Sequence, residues 1–88
     1  MLLSIESAQY KEDYKISLVF NNGEQKLVDL KETVFNDQRK IFAPLRDIKY
    51  FSNFKLSFNT ISWENELDFA PEFLYKIGQK INEHKRAA

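Results

Sequence analysis

The residues best suited to chemistry crowd into "WENELDFAPEFLY", positions 63–75. Glu64, Glu66, Asp68 and Glu72 supply carboxylates, and Trp63 and Tyr75 supply aromatic surface. Paired carboxylates can run general acid–base or glycosidase chemistry. That chemistry needs one of the pair desolvated in a concave pocket, so that its proton is held near neutral pH. A chain of 88 residues has little volume for both a core and a pocket of several hundred cubic ångströms. Glu64 and Glu66, two apart after a strand, should share one face with solvent. Asp68 lies three before Pro71, where a short carboxylate accepts backbone N–H groups in the turn that enters a helix. The stretch therefore reads as a strand end, an acidic turn and a helix start, and no residue is expected to be catalytic.

Other chemistries find less support. One histidine and no cysteine offer zinc no ligand set, and His84 reads as a solvated tail residue. There is no G-x-S-x-G elbow and no second histidine to activate a nucleophile. Gly23 and Gly78 lie far apart and neither opens a helix, so no phosphate loop is present. No metal or cofactor is expected.

Charge balances at thirteen basic and thirteen acidic side chains, leaving no net field to attract nucleic acid or an anionic membrane. Arg39, Lys40, Arg46 and Lys49 cluster locally and read as a solvated helix face with its flanks. No apolar run approaches a membrane span. The opening "MLLSIESAQYKED" lacks the basic and apolar regions of a secretory signal. With no cysteine, a cytoplasmic location is expected.

These residues must be positioned by a single small domain, expected over residues 1–82 with a frayed tail at 83–88. Thirteen aromatic residues allow such a chain to bury much area per residue. In "YKISLVF", Tyr14, Ile16, Leu18 and Phe20 alternate with Lys15, Ser17 and Val19, the pattern of a half-buried strand. "NNG" at 21–23 turns the chain into "EQKLVDL". A three-residue turn with Gly23 left-handed sets Ile16 opposite Val28 and Tyr14 opposite Leu30, which keeps the apolar residues on one face. "MLLSIESAQY" reads as a preceding strand with Leu3 and Ile5 on one face, turning at 11–13 to complete a three-stranded antiparallel meander.

After Leu30 a loop is expected, then a short helix or single turn around 41–47, since Pro44 can sit in the first turn of a short helix but not in the middle of a long one. "NFKLSF" alternates again through Phe54, Leu56 and Phe58, and a turn at Asn59-Thr60 leads into "ISW". Pro71 suits a first helical position and Glu72 the positive end of the helix dipole. Leu74, Ile77 and Ile81 recur at helical spacing, with Gly78 inside the helix marking a close approach to the sheet. The fold class is α+β: a small meander, a short middle helix, a hairpin, and a C-terminal helix packed on the sheet.

Residues 41–75 also resemble a family of small prokaryotic proteins known as domain of unknown function 2442. Its pattern runs F-x-x-L-x-D, then F, then I-x-W-x-x-x-x-D-x-A-P-E-x-L-Y. The matching positions are Phe42, Leu45, Asp47, Phe51, Ile61, Trp63, Asp68, Ala70, Pro71, Glu72, Leu74 and Tyr75. Upstream, "LVFNNGEQKLVDL" is similar to the family's strand–turn–strand opening, with Asp29 and Leu30 as its Asp-Leu pair. Where many members carry W-P-N-G, this chain has Glu64 and Glu66, which makes Asn65 the expected bearer of a positive φ. The resemblance implies the same α+β fold and no catalytic residues. Some relatives resemble the front domain of chains that end in a helix-turn-helix. Others resemble halves of toxin–antitoxin pairs. The predicted elements leave no room here for a helix-turn-helix, so direct nucleic-acid binding is not expected.

Two functional readings follow. In the first, the chain is a non-enzymatic interaction module, the antitoxin-like or regulatory half of a small protein pair, whose partner is itself or a neighbouring-gene protein. In the second, a small molecule binds between the sheet and the last helix. Trp63 and Tyr75 would then provide stacking surface, with Arg46 or Glu72 as a polar anchor. The candidate surface for either reading is Arg46, Trp63, Glu64, Glu66, Asp68, Glu72 and Tyr75.

Overall fold

A computed structural model of the chain describes residues 2–81. Strand β1 (Ile5–Glu12) pairs antiparallel with β2 (Lys15–Phe20), which pairs antiparallel with β3 (Gln25–Asp29). The β2–β3 register is the one that the apolar pattern demands. Ile16 stands opposite Val28, and the Leu30 amide donates to the Tyr14 carbonyl. The loop spans residues 21–23, with Gly23 at φ 90°, a backbone state that side-chain-bearing residues rarely adopt. Ile16, Leu18, Phe20, Val28 and Leu30 are all fully buried beneath the sheet.

The first turn is tighter than expected. β1 continues to Glu12, and the turn consists of Asp13 and Tyr14, both at positive φ. Such a two-residue turn matches the right-handed twist of its strands. A tyrosine is held in this costly conformation because its side chain is over-determined. Its ring packs edge-on against Phe35 and Phe51, and its hydroxyl donates to the Arg46 carbonyl. A register shift between Tyr10 and Glu12 absorbs the extra length as a bulge.

The expected loop after Leu30 contains a helix instead, α1 (Lys31–Asn36), which buries Val34. Six residues cannot hold a helix by propensity alone. Its start is held locally, the Asp29 carboxylate accepting the Lys31 amide, and its end from farther along the chain, the Arg46 guanidinium donating to the carbonyls of Val34 and Asp37. The anticipated short helix follows as a 3-10 helix (Lys40–Arg46). Three residues per turn place Phe42 directly above Leu45, and both are buried. Asp47 then caps one further turn, α2 (Ile48–Phe51), by accepting the Lys49 amide. Phe51 enters the core there, whereas Ile48 stays 38% exposed.

The hairpin is β4 (Lys55–Ser57) with β5 (Thr60–Ser62). Its turn comes one residue earlier than predicted, at Phe58-Asn59, where φ is 53° and 72°. Alternation through Phe54, Leu56 and Phe58 therefore does not describe a buried face: Leu56 is 44% exposed and Phe58 92%.

Helix α3 (Pro71–Ile77) starts where expected, with Pro71 first and Ala70 extended before it. It ends sooner than expected. Gly78 is its C-cap at φ −72°, and Gln79–Lys80 form β6, a fourth strand beside β3. The predicted close approach at Gly78 is real and explains the ending. A Cβ there would lie 3.0 Å from Lys26 Cβ and 3.1 Å from Val28 Cγ2. The chain can thus drop onto β3 and satisfy its edge, with the Ile81 amide donating to the Gln25 carbonyl. Sheet order is β1-β2-β3-β6. The expectations for residues 83–88 and His84 lie outside the described residues.

Aromatic rings from β2, the 3-10 helix, α2 and the segment between β5 and α3 close one continuous core around Phe20, Phe42, Phe51, Trp63 and Phe69. Burying a side chain of this kind contributes roughly 1.5–3 kcal/mol. Among the described residues no buried side-chain nitrogen or oxygen lacks a partner, and no helix is long and apolar enough to cross a membrane.

Candidate functional site

Trp63 follows β5 directly and belongs to the core, only 4% exposed. Its ring tilts against Phe51 and stands edge-on to Phe54 and Phe69. Its Nε1 donates 2.8 Å to the Phe51 carbonyl. With the tryptophan anchored, the chain folds back on itself. The Glu66 amide donates to the Trp63 carbonyl and the Trp63 amide to the Leu67 carbonyl, both at 2.9 Å. Asn65 organises this turn through its side chain, accepting from the Leu67 amide and donating to the Ile41 carbonyl.

The positive φ falls on Glu66, at 72°, and not on Asn65. Asn65 is held by its bonds to residues 41 and 67, and the reversal is completed one residue later. Asp68 also departs from expectation. Helix α3 has no side-chain cap, and Asp68 instead pairs through its backbone with Ser62 as an isolated bridge. The preceding proline turn is secured by Thr60, whose hydroxyl donates to the Phe69 carbonyl.

This refolding brings Glu64, Glu66 and Asp68 to the walls of one open groove of about 420 Å³. Its other walls are Lys55, Ser57, Phe58, Ser62 and an edge of Trp63. All three carboxylates are exposed, and no group of acidic or histidine side chains is arranged to hold a metal ion among the described residues. Phe58, on the hairpin tip, lines the groove. Its backbone is pinned there because the next residue, Asn59, accepts the Ile5 amide through its carbonyl at 2.9 Å.

Arg46, Glu72 and Tyr75 do not line this groove. Arg46 spends its guanidinium on the carbonyls that end α1. Tyr75 fastens α3 to the β2–β3 hairpin: its ring meets Phe20 edge-on, and its hydroxyl donates to Glu24 Oε2 at 2.9 Å. Lys26 lies over that ring and donates to the Tyr75 carbonyl, engaging the last turn of α3. Glu72 sits exposed in the first turn of α3. Trp63 and Tyr75 thus have separate sets of partners and do not face each other across a cleft between sheet and helix.

The basic cluster is partly consumed by the fold as well. Arg39 forks onto Asp37 with bonds of 2.9 and 2.7 Å. These side-chain bonds, with the Arg39 amide and nearby positive charge, hold the Asp37 carboxyl down to about 2. A smaller groove of about 330 Å³ runs between this pair, Phe42 and Phe73.

Phe58, Lys55, Ser57 and Ser62 escaped the sequence reading. The signal was present in "SFNT". Asn59 favours a left-handed backbone, and a two-residue turn centred on Phe58-Asn59 was available. Continued apolar alternation through Phe58 concealed it.

A family model described as a protein of unknown function, DUF2442, matches residues 5–80. The chain belongs to the DUF2442 family. No curated protein and no solved structure matches it. Set on the structure, the positions that resemble the DUF2442 pattern are mostly the joints of the fold. Phe42, Leu45, Phe51, Ile61, Trp63 and Leu74 are buried, Asp47 caps α2, and Pro71 opens α3. Phe58, Glu64 and Glu66 fall between those positions, on the surface.

Proposed function

We propose that this DUF2442 member is a non-enzymatic protein-interaction module, the antitoxin-like or regulatory half of a small protein pair acting in the cytoplasm. The hairpin tip and the groove beside it form the contact surface in this reading. One observation carries it. Phe58 is 92% exposed and left-handed at φ 53°. A left-handed backbone costs a residue other than glycine roughly 1–2 kcal/mol, and the exposed ring recovers nothing by burial in this chain. Asparagine or glycine would make the same turn without either penalty. A bulky aromatic side chain retained at such a site is best accounted for by burial in a partner. The exposed carboxylates, which lack the desolvation that acid–base catalysis requires, favour binding over chemistry.

The test compares the tagged wild type with Phe58→Asn, each pulled from the native host at endogenous level. The expected result is one small protein, near-stoichiometric with the wild type and lost with the variant. A wild-type monomer that recovers no partner, or a partner retained equally by Phe58→Asn, overturns the reading.

A further inference from the structure

We infer that the groove beside Phe58 receives an extended, basic segment of a protein partner. This rests on the reading of the chain as an interaction module and adds the chemistry of what it binds. Three observations converge on that occupant. The first is charge. Glu64, Glu66 and Asp68 face one groove against a single cation, Lys55, and among the described residues none of these carboxylates enters a salt bridge. Most described acids are unpaired, the exceptions being Asp13 with Lys15 and Lys31 and Asp37 with Arg39; what sets this wall apart is three carboxylates around one groove with one cation. The unbalanced negative wall thus matches lysine or arginine and repels acidic chains and nucleic acid.

The second observation is apolar. Phe58 presents nearly its whole ring at the same groove, so a suitable segment also carries an aliphatic or aromatic residue to cover it. The third is the backbone. β4 pairs only with β5 among the described strands, and its short run Lys55–Ser57 borders the groove. Lys55 stands opposite Ser62, and Ser62 opposite Asp68 on the other side of β5, so the groove crosses the hairpin face to the acidic turn and an extended segment can lie along it.

The probe is a fluorescein-labelled nine-residue peptide of repeating lysine–serine–leucine, with the glutamate–serine–leucine peptide as its control. Anisotropy titration against the full chain is expected to show binding of the basic peptide alone. Affinity should fall about tenfold as salt rises from about 50 to 300 mM. The triple variant Glu64→Gln, Glu66→Gln, Asp68→Asn should weaken binding at least about tenfold and flatten the salt response. Lys55→Glu should strengthen it several-fold, a gain that misfolding cannot imitate. Phe58→Asn should weaken binding but leave the salt dependence in place.

Equal binding of both peptides, or affinity that does not respond to the triple variant and Lys55→Glu, overturns the inference. If a native partner is still captured through Phe58 under those outcomes, the interaction module stands and only the basic segment is rejected. If no native partner is captured either, both fall together.

Discussion

The indole Nε1 of Trp63 donates a 2.8 Å hydrogen bond to the carbonyl oxygen of Phe51, joining the residue after β5 to the end of α2 inside the core. That bond satisfies a buried carbonyl and locks the tryptophan from which the acidic turn springs. Trp63→Phe keeps the aromatic surface and removes the donor. It should cost about 1–3 kcal/mol, because the Phe51 carbonyl is left without its partner and the smaller ring leaves a gap. Urea denaturation followed by circular dichroism reads this directly. A change below about 0.5 kcal/mol would show that the site repacks freely.

Gly78 separates two views of the last element. Were it an interior helical residue, Gly78→Ala would stabilise the chain by about 1 kcal/mol. In the structure it is the C-cap, and the added methyl would meet the Leu74 carbonyl and Lys26 Cβ, each at 3.0 Å. The substitution should therefore destabilise by about 1–3 kcal/mol, through overpacking against the sheet. The sign of the shift in the denaturation midpoint decides.

At Phe58 stability and binding should part company. Phe58→Asn relieves a left-handed phenylalanine and removes an exposed ring, so the folded state should be unchanged or more stable by up to about 1 kcal/mol. Binding to the partner should nevertheless be lost. Thermal melts of the variant beside its pull-down provide both readings from one preparation.

The Asp37–Arg39 pair makes a prediction in acid. The Asp37 carboxyl is lowered from an ordinary 3.8 to about 2 by the bonds it accepts from Arg39. A carboxylate held down in the folded state contributes stability above its unfolded pKa and loses that contribution as pH falls through the folded one. The difference in urea midpoint between wild type and Asp37→Asn should be largest above about pH 4 and shrink toward about pH 2. Arg39 is exposed and Asp37 half-buried, so the effect should be small and reduced by salt.

Arg46 is expected to act in stability and not in binding. Arg46→Met removes both bonds to the carbonyls that close α1. It should loosen residues 31–37, seen as faster amide exchange there, with a cost of about 1–3 kcal/mol. Peptide and partner affinity should be retained, since Arg46 does not line the groove. Loss of affinity at unchanged stability would return Arg46 to the binding surface.

Much of this architecture is determined by local pattern. Alternation through Tyr14, Ile16, Leu18 and Phe20 admits one β2–β3 register, because a slip of one residue would expose every buried side chain. Pro71 requires a helix start, since its ring sets φ and blocks the residue before it from helical geometry. The spacing of Phe42 and Leu45 around Pro44 similarly marks a short turn of helix. What only the tertiary structure decided depends on partners distant in sequence. Helix α1 exists because Arg46, ten residues beyond its end, satisfies its last carbonyls. Strand β6 exists because β3 offers an open edge just where Gly78 lets the chain approach. The same holds for the candidate site. The acidic residues of the 63–75 stretch were visible as a cluster, but their assembly with Phe58 and Lys55 follows from a hairpin folding back along the Trp63 turn. Periodicity reports which side chains leave water; it carries no information on which distant backbone groups will need a partner, and those needs placed the groove.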